Sequence, residues 1–87
     1  MDFFLYILYS EKLGKYYVGT TSNICDRVAR HNGARSMSTK AGCPWKLVYT
    51  EIFYTRAEAV RREGQIKKWK SKLAIREHIS KAESVPM

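Results

Sequence analysis

The chain has 87 residues, 45% of them hydrophobic and 13% aromatic, which suits one small domain with an economical core and leaves no room for a second. Sixteen Lys and Arg stand against eight Asp and Glu, a formal net charge of +8, which excludes an acidic solvating segment and favours a polyanionic partner, nucleic acid before an anionic membrane surface. Cys25 and Cys43 form no C-x-x-C pair and with His31 and His78 match no zinc spacing, so reduced thiols in a cytoplasmic setting are expected.

In chain order, Phe3 to Tyr9 is a continuous aromatic and β-branched run. At seven residues it is too short to span a bilayer, and it reads as a central strand buried on both faces. Ser10 to Lys15 is polar and contains Gly14; Tyr16 to Thr20 then predicts a second strand, closing an antiparallel hairpin. Thr21-Ser22-Asn23 offers an N-cap for a helix ending at Asn32, with Ile24 and Val28 on its apolar side and Gly33 as a stop. Gly33 to Pro44 is a polar, cationic loop carrying Arg35 and Lys40. Lys46 to Tyr54 is a third strand, and Thr55-Arg56-Ala57-Glu58 is a capping box opening a helix to about Lys70. Ser71 starts a last helix through Leu73, Ile75 and Ile79. The order is β-β-α-β-α-α, an α+β domain over residues 1–81 with a three-stranded antiparallel sheet flanked by helices; residues 82–87 read as a disordered tail.

Three features depart from plain packing. Ala59, Glu63 and Ile66 follow one helix face, so a carboxylate sits in the stripe that should meet the sheet and needs a cation, either an arginine or a metal. Asn23, Arg27 and His31 stack at four-residue intervals, with Arg30 beside them. Such a row is either a solvated face or a phosphate clamp built on the fixed fork of arginine. Tyr6, Tyr16 and Tyr17 lie in the hairpin, where tyrosines ordinarily pack across strands. Residues 61–81 hold eight cations against two carboxylates, net +6, including Lys67, Lys68 and Lys70. Such a run, with Trp69 interleaved to stack or to pack, could follow a nucleic-acid backbone without reading sequence.

Phe4-Leu5-Tyr6, followed eleven positions on by Tyr17-Val18-Gly19, resembles the GIY-YIG endonuclease superfamily, including the small bacterial members and the nuclease domains of UvrC and Slx1. Arg27, His31 and Glu63 fall where that family carries its helix arginine, its His or Tyr, and its metal-binding glutamate. The likeness runs from Phe3 to about Lys70. Phe4 replaces the first glycine, Thr20 stands where UvrC-like members have lysine, and Lys67-Lys68-Trp69-Lys70 lacks an asparagine found beyond the glutamate in some members.

The resemblance implies an endonuclease hydrolysing phosphodiester bonds in structured DNA, in repair or recombination, with one Mg²⁺ or Mn²⁺ ion held by Glu63. Arg27 would bind the scissile phosphate. Tyr6 and Tyr17 would position the water, with Tyr6, Tyr17 or His31 as the base. Arg30, Arg35, Lys40, Lys67, Lys68 and Lys70 would contact nucleic acid, DNA rather than RNA, with a protein partner as an alternative source of specificity. A non-catalytic nucleic-acid-binding module on the same fold is the alternative. No membrane association is expected.

Overall fold

The computed structural model describes residues 2–33, 40–69 and 71–83. Strands β1 (Phe3–Ser10) and β2 (Lys15–Thr21) lead into helix α1 (Ile24–Asn32). A short 3₁₀ turn (Lys40–Gly42) precedes strand β3 (Lys46–Phe53), and helices α2 (Arg56–Lys67) and α3 (Lys72–Glu83) follow. The sheet order is β2-β1-β3, with both pairings antiparallel, so the most apolar strand is the central one, as its composition predicts. No helix among the described residues is long and apolar enough to cross a membrane.

The hairpin forms because β1 and β2 stay in unbroken register from Phe4 opposite Thr21 to Ser10 opposite Lys15. Gly14 takes a φ of 62° at the turn, a conformation that costs glycine nothing. The Ser10 hydroxyl accepts from the Leu13 amide at 3.1 Å, and the Ser10 carbonyl accepts from that of Gly14 at 2.7 Å. Asn23 caps α1 by accepting from the Asp26 amide at 3.0 Å. Thr55 caps α2 by accepting from the Glu58 amide at 3.2 Å. Its hydroxyl in turn donates to the Glu58 carboxylate at 2.9 Å, a variant of the expected box in which the glutamate meets the side chain. α2 ends at Lys67, a turn earlier than expected, and α3 reaches Glu83; the rest of the tail lies outside the described residues.

Alternation along the strands gives the sheet two different faces. Leu5, Ile7 and Val18 meet Ile66 of α2 and Ile79 of α3, joined by Tyr16, Val48, Tyr49, Phe53, Trp69 and Ile75. Trp69 therefore packs. Tyr6 and Leu8 point to the opposite face and pack with Trp45, Tyr17, Val28 and Cys43. Fully burying side chains such as Leu5, Ile7 and Leu8 contributes about 1.5–3 kcal/mol each. The second face is the aromatic one, and the candidate site is built there.

Candidate active site

Tyr6 is 1% exposed and lies opposite Gly19 across the hairpin. A Cβ on Gly19 would fall 2.5 Å from the Tyr6 hydroxyl, so only glycine lets the phenol lie across β2. The last turn of α1 brings His31, 3% exposed, over the same face, and its Nε2 lies 3.2 Å from the Tyr6 hydroxyl. The Tyr17 ring sits 4.7 Å from the His31 ring and 6.3 Å from the Tyr6 ring, with Trp45 at 6.2 Å closing the group. Asn32 fixes this arrangement from behind: its amide donates to the Trp45 carbonyl at 3.0 Å, while its side-chain oxygen accepts from the Trp45 amide. The Cys43 thiol donates to the His31 carbonyl at 2.9 Å. Two residues of the segment before β3 and one helix end are thereby tied to the tyrosine pair.

Electrostatics distinguish the members of the group. Burial, then the neighbouring Tyr17, push the Tyr6 hydroxyl far above the ordinary phenol range. Arg27 opposes this rise and Glu63 adds to it, so residues from α1 and α2 act on one hydroxyl with opposite signs. Tyr6 is thus a phenol, not a phenolate, at any physiological pH. Burial and the Arg27 charge lower His31 below its usual value, which keeps the imidazole neutral at pH 7 and able to accept a proton.

Arg27 is half-buried, and among the described residues its guanidinium has neither a hydrogen bond nor an ion pair. It lines a small polar pocket of about 90 Å³ with Thr20, Thr21, Ser22 and Arg56. Arg56, the first residue of α2, was not singled out by spacing; its position beside the capping Thr55 was the available signal. Its guanidinium also lies 5.6 Å from the Phe3 ring.

Glu63 occupies the expected stripe, between buried Ala59 and Ile66, and its side chain is 22% exposed. The cation it needs comes from Lys67 one turn on, at 2.6 Å, rather than from an arginine. Among the described residues no three His, Cys, Asp or Glu side chains converge on a metal position, and neither cysteine forms a disulfide. A carboxylate that stands alone among the described residues, with one exposed lysine partner, is unsuited to a preformed zinc cage. It suits a hard divalent ion that keeps its waters and shares the oxygens of a substrate phosphate.

The remaining predicted contact residues are dispersed. Arg30 pairs with Asp26 at 3.3 Å on the exposed side of α1, and Lys68 is exposed at the end of α2. Arg35, Lys70 and the side chain of Lys40 lie outside the described residues.

The three-stranded sheet carries paired tyrosines on its hairpin, an arginine and a histidine on the next helix, and a glutamate on the helix after β3, and the family whose model this chain matches is of nuclease type. The chain belongs to the GIY-YIG family: residues 2–80 match the model of the GIY-YIG catalytic domain. It is similar to the UPF0213 protein of Staphylococcus haemolyticus, 44% identical over 52 residues that cover 59% of this chain and 63% of the relative. It is similar also to that of Listeria monocytogenes, 38% identical over 68 residues, 77% of this chain and 75% of the relative. The solution NMR structure of the UPF0213 protein BH0048 from Bacillus halodurans has the same fold, with a TM-score of 0.58 and 28% identity, covering 92% of this chain and 84% of that one. A nucleic-acid substrate follows from the family.

Proposed function

We propose that the protein is a metal-dependent endonuclease that hydrolyses phosphodiester bonds in structured DNA, in the setting of repair or recombination in the cytoplasm. The observation that carries this reading is the Tyr6 hydroxyl at 3.2 Å from His31 Nε2, with Arg27 and Glu63, from two different helices, acting on it electrostatically with opposite signs. Structural tyrosine packing has no use for an unengaged arginine at its edge.

Arg27 presents its free fork to the scissile phosphate and stabilises the charge that builds there. Tyr17, the more exposed phenol, meets the attacking water. Tyr6, kept protonated, aligns the hydrogen bonds. His31, neutral at working pH, takes the proton. Glu63, now paired with Lys67, would be the residue to hold one Mg²⁺ or Mn²⁺ ion, and the chemistry such an ion would supply is charge neutralisation at the phosphate. Lys67 and Lys68, both exposed, would meet backbone phosphates.

The test is incubation with labelled single-stranded, duplex, flapped and four-way DNA, and with RNA, in Mg²⁺, Mn²⁺ or EDTA. Cleavage of branched DNA that EDTA stops is the expected result. Binding without cleavage in either metal would replace this reading with a non-catalytic nucleic-acid-binding module.

A further inference from the structure

Between the β1–β2 hairpin and the start of α3 runs a groove that the proposed reaction does not use. Its first stretch, about 340 Å³, opens beside Tyr17 and Lys67, at the margin of the site just described. The second, about 570 Å³, continues past Tyr9 and Arg76, and Tyr16 and Lys72 line both. Tyr9 and Tyr16 are a cross-strand pair with ring centres 4.8 Å apart, and both rings are half-buried. Lys15 and Lys72 supply charge along one stretch and Arg76 along the other, and among the described residues none of these three has an ion-pair or hydrogen-bond partner. The Lys72 amine reaches in toward the bare turn at Gly14, where an added Cβ would lie 3.9 Å away. No carboxylate lines either stretch among the described residues.

Recessed aromatic rings flanked by unpaired cations form a platform for unpaired bases with a track for their phosphates. A duplex offers phosphates to such a track but no base edge or face that reaches a recessed ring. A strand that has left the duplex can splay a base onto Tyr9 or Tyr16. We propose that this groove binds a single-stranded arm of the substrate and leads it to or from the Tyr6–Tyr17 face. The inference rests on the nucleic-acid reading for its ligand class, and it adds the form of substrate: a junction of duplex and unpaired strand.

The experiment is fluorescence anisotropy in EDTA, so that binding is read without cleavage. A blunt duplex of two separate strands is compared with the same duplex carrying a thymidine tail of about ten nucleotides on one strand, within the 4–16-nucleotide range of single-strand sites. The wild-type chain should favour the tailed probe by roughly 5–100-fold, the scale of one stacked base. Tyr9→Ala should bring that ratio toward one, while Tyr9→Phe, which keeps the ring, should retain it and controls for folding. Lys72→Gln combined with Arg76→Gln should lower the salt slope for the tailed probe by about 0.7 per lost single-strand phosphate contact. Equal affinity for the two probes, or a preference that survives both Tyr9→Ala and the double variant, overturns the proposal. Displacement of the tailed probe by poly-glutamate as readily as by oligothymidine also overturns it, since the groove would then read charge alone. A tail preference in a chain that never cleaves leaves the groove standing and removes the nuclease; cleavage with no tail preference does the reverse.

Discussion

Two tyrosine–histidine pairs sit on opposite faces of one small sheet, and they have been put to different uses. On the α1 face the Tyr6 hydroxyl meets His31 Nε2 at 3.2 Å; on the α3 face the Tyr49 hydroxyl meets His78 Nε2 at 2.9 Å. The second pair is closed by charge. Glu51 accepts from the Tyr49 hydroxyl and takes the fork of Arg62, with Nε at 3.0 Å and Nη2 at 3.3 Å, while His78 lies 3.6 Å away. Arg62 also reaches Gln65 and lies 5.8 Å from the Trp69 ring, which in turn packs 5.3 Å from His78. Every charge there has a partner, and the network ties β3, α2 and α3 together. Beside the first pair, among the described residues, stand an arginine with no hydrogen-bond or ion-pair partner and a glutamate paired with a lysine of its own helix. The same residue types make a fastener where the charges are satisfied and a site where they are left open.

The contrast is sharpest in the two glutamates, and removing their charge should produce the largest and most divergent effects. Glu63→Gln should drop metal-dependent cleavage below detection while shifting the melting temperature little, because it loses only an i,i+4 pair with an exposed lysine, worth about 0.3–0.5 kcal/mol. Glu51→Gln should do the opposite. It leaves the Arg62 guanidinium, 26% exposed, without its counter-charge, at a cost on the order of 1–3 kcal/mol. In a domain of this size that lowers the melting temperature by roughly 5–20 °C. Cleavage per folded molecule should persist at temperatures below the transition. Thermal unfolding and cleavage assays on the two variants check both halves; near-wild-type cleavage by Glu63→Gln would remove the metal assignment.

The arginines should separate in the same way on a smaller scale. Arg27→Ala should lower cleavage by roughly 10²–10³-fold, the effect of losing one preorganised charge-stabilising group, with a minor change in melting temperature. Arg27→Lys should recover only part, since a point charge cannot engage two phosphate oxygens at once. Arg62→Ala should weaken the fold and leave turnover of the folded fraction intact.

Hydroxyl deletions come next. Tyr6→Phe and Tyr17→Phe keep their rings packed, so each should cost no more than about 1–2 kcal/mol of stability, the larger loss falling on buried Tyr6, whose hydroxyl meets His31 Nε2. If the tyrosines act on substrate, cleavage falls by more than that stability change explains. The base is identified by the rate–pH profile: His31→Ala should abolish the rise of rate with pH, and the two Phe variants should keep it at lower amplitude. A rise that survives in His31→Ala removes His31 as the base.

Much of this was legible because it is local. The hairpin, the Asn23 and Thr55 caps and the Ala59–Glu63–Ile66 stripe each depend on residues a few positions apart, and each stands where the spacing put it. The Glu51 network was not legible, since it joins β3 to residues 11 and 27 positions on through a strand tyrosine and a basic-helix arginine that looked ordinary in their own segments. An arginine pair was one of the two readings open for Glu63, the other being a metal; the arginine–glutamate pair stands at Glu51 instead, because Glu51 lies opposite Leu5 on the face covered by α2 and α3, within reach of Arg62. The protonation states were also hidden: a tyrosine base looked open from sequence, and only the depth of Tyr6 shows that it holds its proton.

The smallest expected effect is the pH dependence of stability, and it distinguishes the two faces by window. His31 has a folded pKa below its ordinary 6.5, from burial and then Arg27, so the unfolded chain binds the proton more readily. Its contribution is complete above about pH 6.5 and is lost as the pH falls from there toward the lowered folded value. Burial alone would raise the Glu51 carboxyl, but hydrogen bonds from Arg62 and Tyr49 outweigh it and hold the group below its ordinary 4.5. Its contribution is therefore complete above about pH 4.5 and is lost only below that. Melting temperatures measured from pH 8 to pH 3 should fall in two steps. His31→Ala should remove the first step and leave the second, and Glu51→Gln should do the reverse. Arg27→Ala should shrink the first step without abolishing it, because burial remains when the neighbouring charge is gone. A first step that Arg27→Ala leaves at full size would mean that the arginine does not act on the histidine, and that the two belong to separate sites.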